Sequence, residues 1–201
     1  MTYLSKGGHI PYLSKDEIAR RAKEILDKYW DDNLPVDIEL LCDRMGISIL
    51  PVTNLAKNFH IDAFISADFK TIYVDSYEFE RESHRYRFSV AHELGHYVLH
   101  RCFYPDKCIN YEKWLEISRK VLDNFAEFQA NYFAGNLLVP ENRLVKILND
   151  KFKGSFSRHY WEASPKELWE VLFSVRKSFA VSDQVNARRM RDAFPGIDDI
   201  I

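Results

Sequence analysis

The sequence predicts an α+β protein: a small, mainly antiparallel three-stranded sheet packed on helices, with a helical C-terminal extension. Two observations carry this. Short runs rich in β-branched and aromatic residues fall in one stretch, as ISIL (47–50), DAFIS (62–66) and KTIYVD (70–75). Before and after that stretch, apolar residues recur at the three-to-four-residue spacing of a half-buried helix.

Ser14 precedes Glu17 by three, a capping-box start, and Ile18, Ala22, Ile25 and Leu26 continue as a helix to about Trp30. A second helix starts near Pro35 and ends at Gly46. The three strands follow, and the last two, joined by a short turn around Ala67–Phe69, are expected as a hairpin. One helix is predicted from Ser83 to about Arg101, stopped before Pro105. A loop carrying Cys102 and Cys108 leads to a long helical stretch from about Tyr111 to Leu138, closed by Pro140. Helix continues over Glu141–Phe152, KGSFSRHYWEAS is loop, and Ser164, three residues before Glu167, restarts a helix at Pro165. A last short helix follows Ser182.

The 201 residues are 46% hydrophobic and 29% charged, enough apolar content to bury a full core. A net charge of −2 argues against non-specific binding to nucleic acid or to an acidic membrane. The N-terminal stretch lacks a secretory h-region, and no apolar run reaches the roughly 18 residues that cross a bilayer. Cys42, Cys102 and Cys108 are an odd number, at spacings too wide for a zinc knuckle, so a reduced, cytoplasmic setting is expected.

The chemistry concentrates in HELGH, residues 92–96. Histidines four apart on a helix stand one above the other on a single face, so both imidazoles reach one ion. Zinc suits two neutral nitrogens and a carboxylate, with a fourth position open. Glu93 flanks the ion without having to ligate it, and can take a proton from a water that the metal acidifies to a pKa of about 7. The apolar surroundings weigh against chance, because two histidines and a glutamate are costly to bury unpartnered. A third ligand is required. Asp123, Glu127 and Asn131 share one helical face at i, i+4 steps, and periodicity alone leaves open whether Glu127 is a ligand, Asp123 is, or the face is solvated.

RFSVAHELGHYVLH followed by EFQANYFAGNLLVP resembles the ImmA/IrrE-type metallopeptidases, whose short zinc-peptidase fold is similar to a minimal gluzincin. Phe88 to His100 match the first family motif, with Ser89 where Thr is usual, and Glu127 to Pro140 match the second. PVDIELLCDRMGISIL and FAVSDQVNARRMRDAF look like the family's leading and closing segments, so the likeness spans roughly residues 35–195. Met190 stands where Leu closes the motif, and the glycine expected near Asp62–Ala63 is missing. The resemblance implies one zinc per chain held by His92, His96 and Glu127, with Glu93 catalytic and Asn131 orienting a ligating histidine. His100 is read as structural at the helix end. Tyr132, His159 and Tyr160 are candidates for polarising the substrate carbonyl. In minimal gluzincins a strand borders the cleft, so KTIYVD is expected as an exposed edge that pairs with an extended substrate. The implied division is residues 1–34 as an N-terminal helical segment, 35–155 as the zinc metallopeptidase core and 156–201 as the helical extension, in one compact unit.

Two functions follow. One is a zinc-dependent endopeptidase acting on a protein, as family members act on helix-turn-helix transcriptional repressors. The other is a non-catalytic regulatory protein that keeps the zinc fold and binds DNA or a partner. Residues 166–194 are only weakly basic, with Arg188, Arg189 and Arg191 expected to cap or solvate a helix end, so direct DNA binding is not expected. The intact Glu93 favours the enzyme, since a structural zinc site needs no acid beside its ligands.

Overall fold

Helices begin in the structure where short polar side chains can cap them. The structure, a computed structural model, describes residues 10–81, 83–103, 124–151 and 165–194. Ser14 accepts from the Glu17 N–H to start α1 (Lys15–Tyr29), and Asp37 accepts from Glu39 and Leu40 to start α2 (Ile38–Arg44). Gly46, at φ 73°, turns the chain out of α2 in the left-handed region, where a side chain is strained.

The chain then runs through β1 (Ser48–Val52), α3 (Leu55–Phe59), β2 (Ala63–Ile65), β3 (Thr71–Asp75) and α4 (Ser76–Glu80). The two short helices were not expected. Both rest on Asp75, a buried carboxylate that accepts from the Ala56 N–H at 2.9 Å and the Tyr77 N–H at 3.0 Å. One side chain therefore satisfies donors at the starts of both helices, one of them 19 residues away in sequence.

Strand order is β1-β3-β2. The hairpin forms as expected, with Ala63 opposite Val74 and Ile65 opposite Ile72. The sheet is mixed rather than mainly antiparallel, because β1 and β3 pair in parallel over five residues, Ser48 with Thr71 through Val52 with Asp75. The hairpin folds back so that β3, not β2, lies against β1. β3 is consequently the central strand, and KTIYVD is not the exposed edge expected of it. Ile72 and Val74 are buried on one face, while Thr71 and Tyr73 point to the other.

Ser83 caps α5 (His84–His100), which a short 3-10 turn extends through Phe103. α6 (Asn124–Leu138) packs along α5 more extensively than any other pair of elements, and α1 covers another side of α6. The expected loop after residue 103, with Cys108, Asp123 and the first half of the long helix, lies outside the described residues, as does 152–164 with His159 and Tyr160. α7 (Glu141–Lys151), α8 (Pro165–Phe179) and α9 (Asp183–Ala193, capped by Ser182) are the last elements among the described residues. Arg189 of α9 is buried, with 2% of its surface exposed, and its Nε donates to the Val139 carbonyl just past the end of α6. It does not solvate a helix end, as the sequence suggested; Arg188 does remain exposed. Arg87 of α5 donates to the carbonyls of Val36 and Ala180, tying the start and end of the fold to the central helix. Among the described residues no helix is long and apolar enough to cross a membrane.

Candidate metal centre

A metal site between two helices needs them close, and here glycine sets the distance. A Cβ at Gly95 would lie 2.9 Å from the Ala130 Cα and 3.1 Å from its carbonyl oxygen, both backbone atoms of α6. This close approach is what brings the Glu127 side chain of α6 to the histidines of α5.

His92 and His96, one helical turn apart, face each other with their Nε2 atoms 2.9 Å apart. Glu127 reaches both: Oε2 is 3.3 Å from the His92 Nε2 and Oε1 is 3.5 Å from the His96 Nε2. The donor atoms of these three residues lie within 4.8 Å of one another. Four ligands around zinc at ~2.0–2.1 Å stand ~3.3 Å apart, so the two carboxylate spacings match and the imidazole pair is slightly compressed. Two nitrogens and a carboxylate oxygen are a donor set zinc accepts, and the residues present fit the ion.

Each imidazole is held from behind. The His92 Nδ1 is 3.0 Å from the Asn131 Oδ1. The His96 Nδ1 is 2.9 Å from the His100 Nδ1, the His100 Nε2 is 3.0 Å from the Gln129 Oε1, and the Gln129 amide nitrogen donates to the Pro11 carbonyl at 2.9 Å. Burial keeps His96 well below the usual imidazole pKa and hence neutral. For His92, burial works against the charged form, but Glu127, Glu93 and Asn131 together outweigh it and the net shift is upward.

Glu93 lies outside the three-ligand cluster, and its Oε2 accepts from the Ile65 N–H at 2.9 Å. Burial pushes its pKa up to about 7, and the Ile65 hydrogen bond pulls the other way. Ile65 can make this contact because of the hairpin register. The Ser66 N–H bonds to the Thr71 carbonyl and the Asp75 N–H to the Asp62 carbonyl, so by alternation Ala63 and Ile65 turn their N–H and C=O groups outward. Arg85 of α5 grips Asp62 in a bidentate pair at 2.7 and 2.8 Å, so β2 is pinned to α5 at both ends. The edge of the sheet that meets the centre is thus that of β2, not β3.

Of the candidate site residues, the fold brings together His92, Glu93, His96, Glu127 and Asn131. Tyr132 stands elsewhere: its ring lies under Lys15 of α1 and stacks on Phe128. Sequence reasoning did not find the Ile65 N–H beneath Glu93, which belongs to a backbone far along the chain. Nor did it link His100 to Gln129, although both fall within the quoted motifs.

A mixed three-stranded sheet packed on two helices that share a two-histidine, one-glutamate cluster defines an α+β fold with a candidate metal centre. The model of a peptidase family described as the IrrE N-terminal-like domain matches residues 42–173, and the chain belongs to this family. A solved structure described as a Mycobacterium tuberculosis transcriptional regulator is similar in fold, with a TM-score of 0.54 at 16% identity. The similarity covers 90% of this chain and 56% of that one, so this chain spans little more than half of that protein. No match is found among curated proteins.

Proposed function

We propose that the protein is a zinc-dependent endopeptidase of the cytoplasm that hydrolyses a peptide bond in a protein substrate, with a helix-turn-helix transcriptional repressor as the substrate class. The observation that carries this is the position of Glu93, a buried carboxylate next to a convergent His92–His96–Glu127 cluster and not one of its three ligands. Zinc held by those three side chains would supply Lewis acidity, polarising the scissile carbonyl and making water acidic near neutral pH. Asn131 would hold the His92 ring so that its Nε2 lone pair faces the ion. Glu93 would take the proton from the attacking water and hand it to the leaving amine. With Oε2 engaged by Ile65, Oε1 is the oxygen that would carry that proton.

The outward edge of β2 would bind the substrate as an added strand, since its N–H and C=O groups face the same side as Glu93. Tyr132 faces α1, so polarisation of the carbonyl is assigned to His159 or Tyr160. Membership of a peptidase family supports the activity, and a fold shared with a transcriptional regulator is consistent with a regulatory substrate. Burial of Arg189 weakens the alternative of a DNA-binding, non-catalytic protein.

The test is to load the purified protein with one equivalent of zinc, incubate it with a helix-turn-helix repressor encoded beside it, and read the products by mass spectrometry. Cleavage abolished by Glu127→Ala and restored by no added metal supports the assignment. Loss of zinc with Asp123→Ala and retention with Glu127→Ala moves the third ligand to Asp123.

A further inference from the structure

We propose that His100 and Gln129 are positioning residues that, anchored on the Pro11 carbonyl, fix the tautomer of His96 before any metal arrives. The inference rests on the metal-centre reading above and concerns how the second histidine is prepared. Three hydrogen bonds in series run inward from the N-terminal segment, and each leaves one choice to the next. The Pro11 oxygen can only accept, so the side of the Gln129 amide facing it at 2.9 Å is the NH2 group. That turns the Gln129 Oε1, also only an acceptor, to the His100 Nε2 at 3.0 Å, which must therefore carry a proton.

Full burial disfavours a charged His100, and the neutral ring with its proton on Nε2 has a lone pair on Nδ1. The His96 Nδ1 stands 2.9 Å away, so it must donate, and the His96 proton is then on Nδ1. The His96 Nε2 is left with its lone pair aimed at the His92 Nε2 and Glu127, as a ligand requires. The members of the chain are shielded from solvent: His96, His100 and Gln129 are buried to within 2%. In the reverse direction, the Gln129 amide would set its NH2 toward His100 and its oxygen against the Pro11 oxygen, two acceptors face to face. The polarity of the chain is thus set at Pro11, 118 residues from Gln129. His100 is not merely a structural residue at a helix end.

The test uses the full chain labelled with nitrogen-15 at histidine. Long-range imidazole spectra of the metal-free and zinc-loaded wild type should both show His100 protonated on Nε2 and His96 on Nδ1. Zinc affinity is measured alongside by competition with a chromophoric chelator. His100→Phe should weaken zinc binding about 10–100-fold, as loss of a partner behind a ligating histidine does, whereas His100→Gln, whose side-chain oxygen can still accept from the His96 Nδ1, should keep most of the affinity. A wild type that binds zinc with His100 protonated on Nδ1, or His100→Phe binding zinc as tightly as wild type, overturns the proposal and leaves the metal centre standing. A wild type that binds no zinc overturns the metal centre itself, and the relay with it.

Discussion

Gly95 of α5 and Ala130 of α6 meet backbone to backbone: a methyl group at position 95 would lie 2.9 Å from the Ala130 Cα. The obstacle is main chain, so no side chain can swing aside to relieve it. Gly95→Ala would gain roughly 1 kcal/mol of helix propensity, yet overpacking typically costs about 1–3 kcal/mol. The expected outcome is a net loss of thermal stability together with weaker zinc binding, because the helices that carry the ligands are forced apart. Calorimetry and chelator competition on the same sample check it, and a more stable variant with native zinc affinity refutes it.

Glu93→Gln should keep the Ile65 hydrogen bond, since an amide oxygen also accepts, and should keep most of the zinc. Cleavage should fall by about 10²–10⁴, because the amide cannot take the proton. Near-native turnover with one zinc bound would remove Glu93 from the mechanism.

Proline separates the two readings of the substrate edge. At Tyr73, in the middle of the central strand, proline removes a ladder donor and should unfold the sheet. At Ala63 the lost N–H points outward, so Ala63→Pro should fold, bind zinc and cleave with a raised KM. Unchanged KM in a folded Ala63→Pro protein would show that the β2 edge does not hold substrate.

Arg189 and Arg188 are neighbours in sequence and opposites in environment. Arg189→Ala leaves the Val139 carbonyl unpaired and Asp192 without its nearby guanidinium, and opens space beside Gly135. A loss of about 3 kcal/mol is expected. Arg188→Ala, at an exposed position, should stay within about 0.5 kcal/mol. Denaturant unfolding of the two variants measures the difference.

Burial raises the Cys42 thiol from 9.0 to about 12, with Glu39 and Asp37 adding to the shift. The thiolate is the reactive form, so Cys42 should resist alkylation in the folded protein at pH 8 while exposed Cys102 reacts. For stability the sign is that of a raised pKa: the contribution is intact below pH 9 and is lost between 9 and about 12, as the unfolded chain ionises first. Peptide mapping after alkylation, with and without denaturant, tests the first statement; unfolding curves across that pH range test the second.

Local chemistry made much of this protein legible from its residues. Ser14, Ser83 and Ser182 cap helices a few residues away, so those starts could be read directly, whereas α2 starts after Asp37 and not near Pro35 as expected. The spacing of His92 and His96 made a shared face a matter of helix geometry. Glu127 was different: its periodicity left a ligand and a solvated residue equally open, and family likeness rather than pattern singled it out.

What the sequence determined by itself was whatever depends on neighbours within about one helical turn: the caps, the hairpin, the apolar faces and the paired histidines. Only the tertiary structure decided which strand is central, because parallel pairing of β1 with β3 is a choice among registers that alternate equally well. It also decided that Asp75 starts two helices, that the Ile65 N–H meets Glu93, that Arg189 is interior, and that Pro11 is joined to His96 through Gln129 and His100. Each of these joins groups far apart in the chain through one hydrogen bond or one close approach. Such contacts leave no periodic trace in the sequence, since their geometry exists only once the helices and sheet have packed.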